Sequence, residues 1–153
     1  MFTSSEIASV ALAPDGIPLA AVGFWGSNEV KVVSLSDLQV LETVVEASLP
    51  RSILIRKDPE DTSTESVNKF LMLVGNGDGS VTTRKLCLGD VSSSPVTIGS
   101  RNSLAMGRTP VHLAASTFEA ESSQILCISD RVSVLYEEQE RLSRSAFNLS
   151  VSA

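Results

Sequence analysis

Three valines that each follow a tight turn, Val30, Val81 and Val132, stand 51 residues apart at both steps (81 − 30 and 132 − 81). A fixed interval of this size is the signature of a repeat architecture, in which each repeat is one supersecondary unit. The turns before them, Gly26-Ser27-Asn28-Glu29, Gly77-Asp78-Gly79-Ser80 and Ser129-Asp130-Arg131, are rich in residues that tolerate positive φ or bond their own backbone. Ahead of each turn lies an apolar segment fit for burial on both faces, at 19–24, 70–74 and 125–128. Alternating or β-branched patterns predict twelve strands in all, over 6–13, 18–24, 28–35, 40–46, 50–56, 69–75, 79–87, 94–99, 110–117, 123–129, 131–136 and 141–149. Grouped by the period, they make an all-β chain of three four-stranded antiparallel blades of a β-propeller, 6–47, 49–99 and 110–151, within one domain over 1–153.

The polar, mostly acidic run at 58–68 reads as a solvated insertion in the second blade, and 91–95 and 101–108 read as connections. Propellers close with about four to eight blades, so three blades predict an incomplete ring. Its two ends would each carry an unpaired strand edge and an uncovered apolar face, which predicts association when the chain is made alone.

Twelve basic against eighteen acidic side chains give a net charge of −6 and a pI near 4.7. That balance offers no attraction to a polyphosphate, so direct nucleic-acid binding by this segment is not expected. The longest apolar run, Leu19 to Trp25, is far short of the roughly 20 residues a membrane helix needs, and no positive n-region precedes the first apolar stretch, so neither a membrane span nor a signal peptide is expected. Cys87 and Cys127 form no CxxC pair and read as reduced thiols of an intracellular protein.

Chemistry finds no foothold in the motifs. Gly75-Asn76-Gly77-Asp78-Gly79-Ser80 lacks the G-x-G-x-x-G spacing and the helix of a dinucleotide loop, and a calcium loop begun at Asn76 would place Val81 and Cys87 where glycine and glutamate belong. A hairpin turn accounts for it. His112 is the one imidazole, in an apolar strand and without a cluster of further metal ligands, while Ser52, Ser129 and the cysteines lack the context of an activated nucleophile. No catalytic, metal, cofactor or small-molecule site is expected. Trp25 differs, because its ring follows Gly23-Phe24 and precedes turn residues, which puts it on a blade rim as either a cover for the next blade or an interface anchor. Arg51, directly after Pro50, shares that ambiguity.

Several strings taken together resemble the middle propeller of the family of the large subunit of the damage-specific DNA-binding protein, a cullin-4 ubiquitin-ligase adaptor. They are Glu6-Ile7, Gly23-Phe24-Trp25, Leu49-Pro50-Arg51-Ser52-Ile53-Leu54, Gly77-Asp78-Gly79, Val96-Thr97-Ile98-Gly99 and Ser129-Asp130-Arg131 with the strand ending in Tyr136. They run in the family's order over nearly the whole chain. The resemblance implies a parent with three seven-bladed propellers and a helical C-terminal domain, of which this chain supplies part of one propeller. It further implies a non-catalytic, nuclear scaffold, without excluding the cytoplasm, that links a cullin-4 type ligase to substrate receptors in DNA repair and protein turnover. Its partners would be the cullin and the rest of the parent propeller, with Trp25 on or near the docking surface and Phe24 and Asn28 close by. Scaffold subunits of the splicing and mRNA 3′-end processing machinery belong to the same superfamily and form the alternative. The 58–68 insertion departs from the family pattern.

Overall fold

A computed structural model of the chain describes residues 6–58, 68–89, 96–115, 125–138 and 141–146. The first sheet holds β1 (Ile7–Leu12), β2 (Leu19–Phe24), β3 (Glu29–Ser34) and β4 (Val40–Val45). The second holds β5 (Pro50–Lys57), β6 (Asn68–Asn76), β7 (Ser80–Leu88) and β8 (Val96–Ala105), and the third holds β9 (His112–Ala115), β10 (Ile125–Ile128), β11 (Val132–Glu138) and β12 (Arg141–Ala146). Every pairing is antiparallel between chain neighbours, so each sheet is a four-stranded meander, as the fold class read from the sequence requires.

Two faces of the second sheet are buried, and β6 shows why. Side chains alternate across a strand. Phe70, Met72 and Val74 therefore join Leu19, Ala21, Val30, Val32 and Val44 in one core against the first sheet, while Leu71 and Leu73 join Val111, Ile125, Cys127 and Leu135 in another against the third. Met72, Leu73 and Val74 are wholly buried. Burial of each such side chain stabilises by roughly 1.5–3 kcal/mol. Among the described residues nothing covers the far face of the first sheet, and Val10, Leu12 and Val45 are more than half exposed there.

The repeat valines occupy one register position in each sheet. Val30 pairs with Gly23, Val81 with Gly75, and Val132 with Ile128. Across from those glycines on the first strands stand Ser9 and Ser52. Each serine hydroxyl accepts a backbone N–H from the next sheet, Ile53 to Ser9 at 3.0 Å and Leu113 to Ser52 at 3.1 Å. A Cβ on Gly23 would lie 3.0 Å from Ile53 Cδ1, and one on Gly75 would lie 2.6 Å from the Val111 carbonyl oxygen. Glycine beside serine is thus the joint by which one blade closes on the next.

Two details depart from the sequence reading, and a third breaks the joint pattern. β8 runs on to Ala105, through most of the segment expected to be a connection, after a register shift between Arg84 and Leu86. Asp58, at the head of the run expected to be solvated, is buried and lies 3.7 Å from Lys85 Nζ. The third sheet has His112 and Ile128 where the joint pattern has serine and glycine. Residues 59–67 of the insertion, 91–95, and the chain end beyond Ala146 lie outside the described residues.

Candidate protein-interaction site

In an antiparallel meander, the second hairpin and the link to the next sheet leave from the same end. The turn at 25–28, the link at 46–49, the turn at 77–79, the link at 106–111 and the turn at 129–131 therefore share one rim. At the first joint on that rim the Arg51 guanidinium carbon sits 4.4 Å from the centroid of the Trp25 ring. The guanidinium is held in place by donating to the Pro50 carbonyl at 3.1 Å and, through both terminal nitrogens, to the Trp25 carbonyl at 3.4 Å. The Trp25 N–H donates to the Glu6 carbonyl, which fixes the turn that carries the ring. Half of Trp25 is nevertheless open to solvent. A cation over an exposed indole is worth about 0.5–1 kcal/mol, so the pair adds little to the stability of the fold, and it leaves a fixed aromatic ring with a charge over one face.

Below the pair lies a polar anchor between the first two sheets. The Glu46 carboxylate is fully buried, with one oxygen 3.1 Å from Arg84 Nε and the other accepting the Thr82 hydroxyl at 2.9 Å. Arg84 also donates to the Val45 carbonyl. The Asn28 side-chain amide donates to the Glu46 carbonyl at 3.0 Å, and the Glu46 N–H donates to the Asn28 carbonyl. Turn and link are thereby locked together beneath Trp25.

Of the four residues singled out from the sequence, the structure brings Trp25 and Arg51 into one stacked pair and puts Asn28 in the same turn. Asn28 spends its amide on the link rather than presenting it outward. Phe24 is different. It neighbours Gly23, which faces the second sheet, so its own side chain lies on the opposite face beside its partner Ile7, half-buried and apart from the pair. Sequence reasoning missed Leu49, which is exposed in the same link and whose carbonyl accepts the Gly77 N–H. Its place directly before Pro50 was the available signal.

The residues examined for chemistry have structural roles. The Ser52 hydroxyl closes a blade joint, and the Ser129 hydroxyl donates to the Thr109 carbonyl at 2.6 Å. Burial pushes the Cys127 thiol up to about 11, which holds it as an unreactive core group. Among the described residues, no group of three or more His, Cys, Asp or Glu is placed to hold a metal ion. No helix among them is long and apolar enough to cross a membrane.

Comparison with known proteins agrees with this architecture. The family model described as the RSE1/DDB1/CPSF1 second beta-propeller matches residues 1–153. A protein named DNA damage-binding protein 1 from Oryza sativa subsp. japonica is 29% identical over 94% of this chain and 13% of its own length. One of the same name from Solanum lycopersicum is 26% identical over 94% of this chain and 12% of its own, and DNA damage-binding protein 1a from Arabidopsis thaliana is 27% identical over 89% and 11%. The chain therefore spans about an eighth of the length of these relatives. Among solved structures, the WD40 domain of SCAP from fission yeast superposes with a TM-score of 0.69 over 95% of this chain and 32% of that one, at 11% identity. The fission yeast SREBP–SCAP binding domains superpose with a TM-score of 0.62 over 98% of this chain and 38% of that one, at 12% identity. These two likenesses concern the fold alone.

Proposed function

The chain belongs to the RSE1/DDB1/CPSF1 second β-propeller family, and from that premise we propose that it is a non-catalytic part of an adaptor that holds a cullin-4 type scaffold in a nuclear ubiquitin ligase serving DNA repair and protein turnover. The observation that carries this reading is the Arg51–Trp25 pair, a half-exposed indole fixed on the rim by its own backbone bonds and by a stacked guanidinium. Tryptophan and arginine are the residue types most enriched at binding hot spots, and rigid side chains lose little entropy when a partner covers them. Relatives named DNA damage-binding protein 1 support the adaptor branch over the splicing and 3′-end processing branch of the superfamily. The bare face bearing Val10, Leu12 and Val45 is offered to a neighbouring blade of the parent propeller, since an apolar sheet face of this kind is covered in closed propellers.

Affinity capture from nuclear extract with the full-length parent tests the proposal. Recovery of a cullin from the parent, and its loss from a Trp25→Ala parent that still folds, is the expected result. Recovery of spliceosomal or cleavage-factor subunits instead would transfer the chain to the alternative branch.

A further inference from the structure

The same rim carries a second feature, at the joint of the second and third sheets, that the reading above does not use. The link from β8 to β9 takes six residues, 106–111, where its counterpart between β4 and β5 takes four, 46–49. Between this longer link and the β10–β11 turn lies a cleft of about 470 Å³ lined by Ala105, Met106, Gly107, Arg108, Asp130, Arg131 and Ser133. That volume lies within the range of small ligand pockets, about 300–1,000 Å³.

The cleft walls are fixed before anything binds. Asp130 accepts the Arg108 N–H at 3.0 Å with one carboxylate oxygen and the Thr109 N–H at 3.1 Å with the other. Met106 and Gly107 both donate to the Gly79 carbonyl, and a Cβ on Gly107 would lie 2.6 Å from Ser129 Oγ. The one acid in the cleft is thus occupied by the wall itself. The other polar side chains that line the cleft are those of Arg108, Arg131 and Ser133. Arg108 and Arg131 are exposed, and among the described residues neither guanidinium lies within ion-pairing distance of a carboxylate, although the Arg108 charge helps to hold the Asp130 carboxyl in its ionised form. Ser133, which is 93% buried, also lines the cleft. Two guanidiniums against the one carboxylate of Asp130 leave the cleft lining net positive on a chain of net charge −6.

We propose that this cleft is a binding site for an acidic peptide segment, whose carboxylates would be gripped by Arg108 and Arg131 and seated on Ser133. Its position on the rim, flanked by a turn and a link rather than enclosed, suits an extended chain segment of a protein partner. The site is independent of Trp25, at the other joint of the same rim. Titration calorimetry of the full chain with a blocked tri-glutamate peptide tests it, with the tri-glutamine peptide and inorganic phosphate as parallel probes. The tri-glutamate peptide is expected to bind, to weaken at least tenfold with Arg108→Gln/Arg131→Gln, and to weaken as ionic strength rises from about 0.01 to about 0.15 M, where the screening length falls from about 30 to about 8 Å. Tri-glutamine should not bind, and Trp25→Ala should change nothing. Both arginines are exposed, so the double variant keeps its fold, which circular dichroism verifies. Equal binding by the double variant, equal binding of tri-glutamine, or binding of phosphate without binding of tri-glutamate would each overturn the proposal.

Discussion

Replacing Gly75 by alanine puts a methyl group into the tightest part of the second blade joint. Its Cβ would lie 2.6 Å from the Val111 carbonyl oxygen and 3.1 Å from Val111 Cβ and Cγ1. The first obstacle is backbone, anchored by the Val111 N–H donating to the Asn76 carbonyl, so the strand after the joint must move as a unit. Overpacking of this kind costs roughly 1–3 kcal/mol, and the stiffer unfolded chain returns about 0.4–1 kcal/mol. A net loss of about 1.3 kcal/mol follows, which for a chain of this size lowers the melting temperature by about 3–5 °C. Gly23→Ala supplies the internal comparison. There the new Cβ would meet Ile53 Cδ1 at 3.0 Å and Pro50 side-chain carbons at 3.2 Å, and the isoleucine terminus can rotate aside. That substitution should stay within about 0.5 kcal/mol of the parent chain, because the two contributions nearly cancel. Urea titration of both variants measures the difference directly. If Gly75→Ala were as stable as the parent, or if Gly23→Ala were the more damaging of the two, the glycine-and-serine account of the blade joints would be wrong.

Three further outcomes follow from the same geometry. Glu46→Ala removes the buried carboxylate that Arg84 and Thr82 face and should cost about 3 kcal/mol in urea denaturation, with the Glu46→Ala/Arg84→Ala pair less than additive. Asp130 has its carboxyl held below the ordinary carboxylate range, first by the Arg108 backbone N–H and then by Thr109. Since that depression favours the charged form in the folded chain, amide protection of Arg108 and Thr109 in hydrogen exchange should persist from neutral pH down to the ordinary carboxylate range near 4 and fall away below it, as Asp130 protonates; Asp130→Asn should lose this dependence. A thiol reagent at pH 8 should label half-buried Cys87 well before Cys127, whose thiol is raised to about 11 by burial; simultaneous labelling would contradict the core packing of the third sheet.

Much of this fold was legible because the local signals agree with one another. The alternation in β6 and the turn chemistry after it both point to a hairpin, and the constant interval to Val81 and Val132 turns three hairpins into one repeat. Trp25 announced its exposure by standing between a strand end and a turn. What stayed hidden depends on contacts between sheets. Glu46 and Arg84 are 38 residues apart, and no spacing rule pairs them. Ser9 and Ser52 are ordinary polar residues until the next blade donates an amide to each. Arg101-Asn102-Ser103 reads as part of a connection by composition, yet β8 runs on past its register shift and pairs these residues with Arg84, Thr83 and Thr82 of β7. Phe24 looked like a neighbour of Trp25 because it is adjacent in sequence, whereas the pleat sends it to the other face. The cleft beside Arg108 stayed hidden because its walls come from residues 105–108 and 130–133, which only the pairing of sheets brings together.

The central claim is that Trp25, held by Arg51, anchors a protein partner. Its most direct test is the affinity of the full-length parent for the cullin N-terminal region, measured by surface plasmon resonance with Trp25 intact and replaced by alanine. A hot-spot residue contributes at least about 2 kcal/mol, which is about thirtyfold in Kd, so the variant should bind at least that much more weakly while its circular dichroism spectrum is unchanged. Equal affinity in a folded Trp25→Ala parent would contradict the claim.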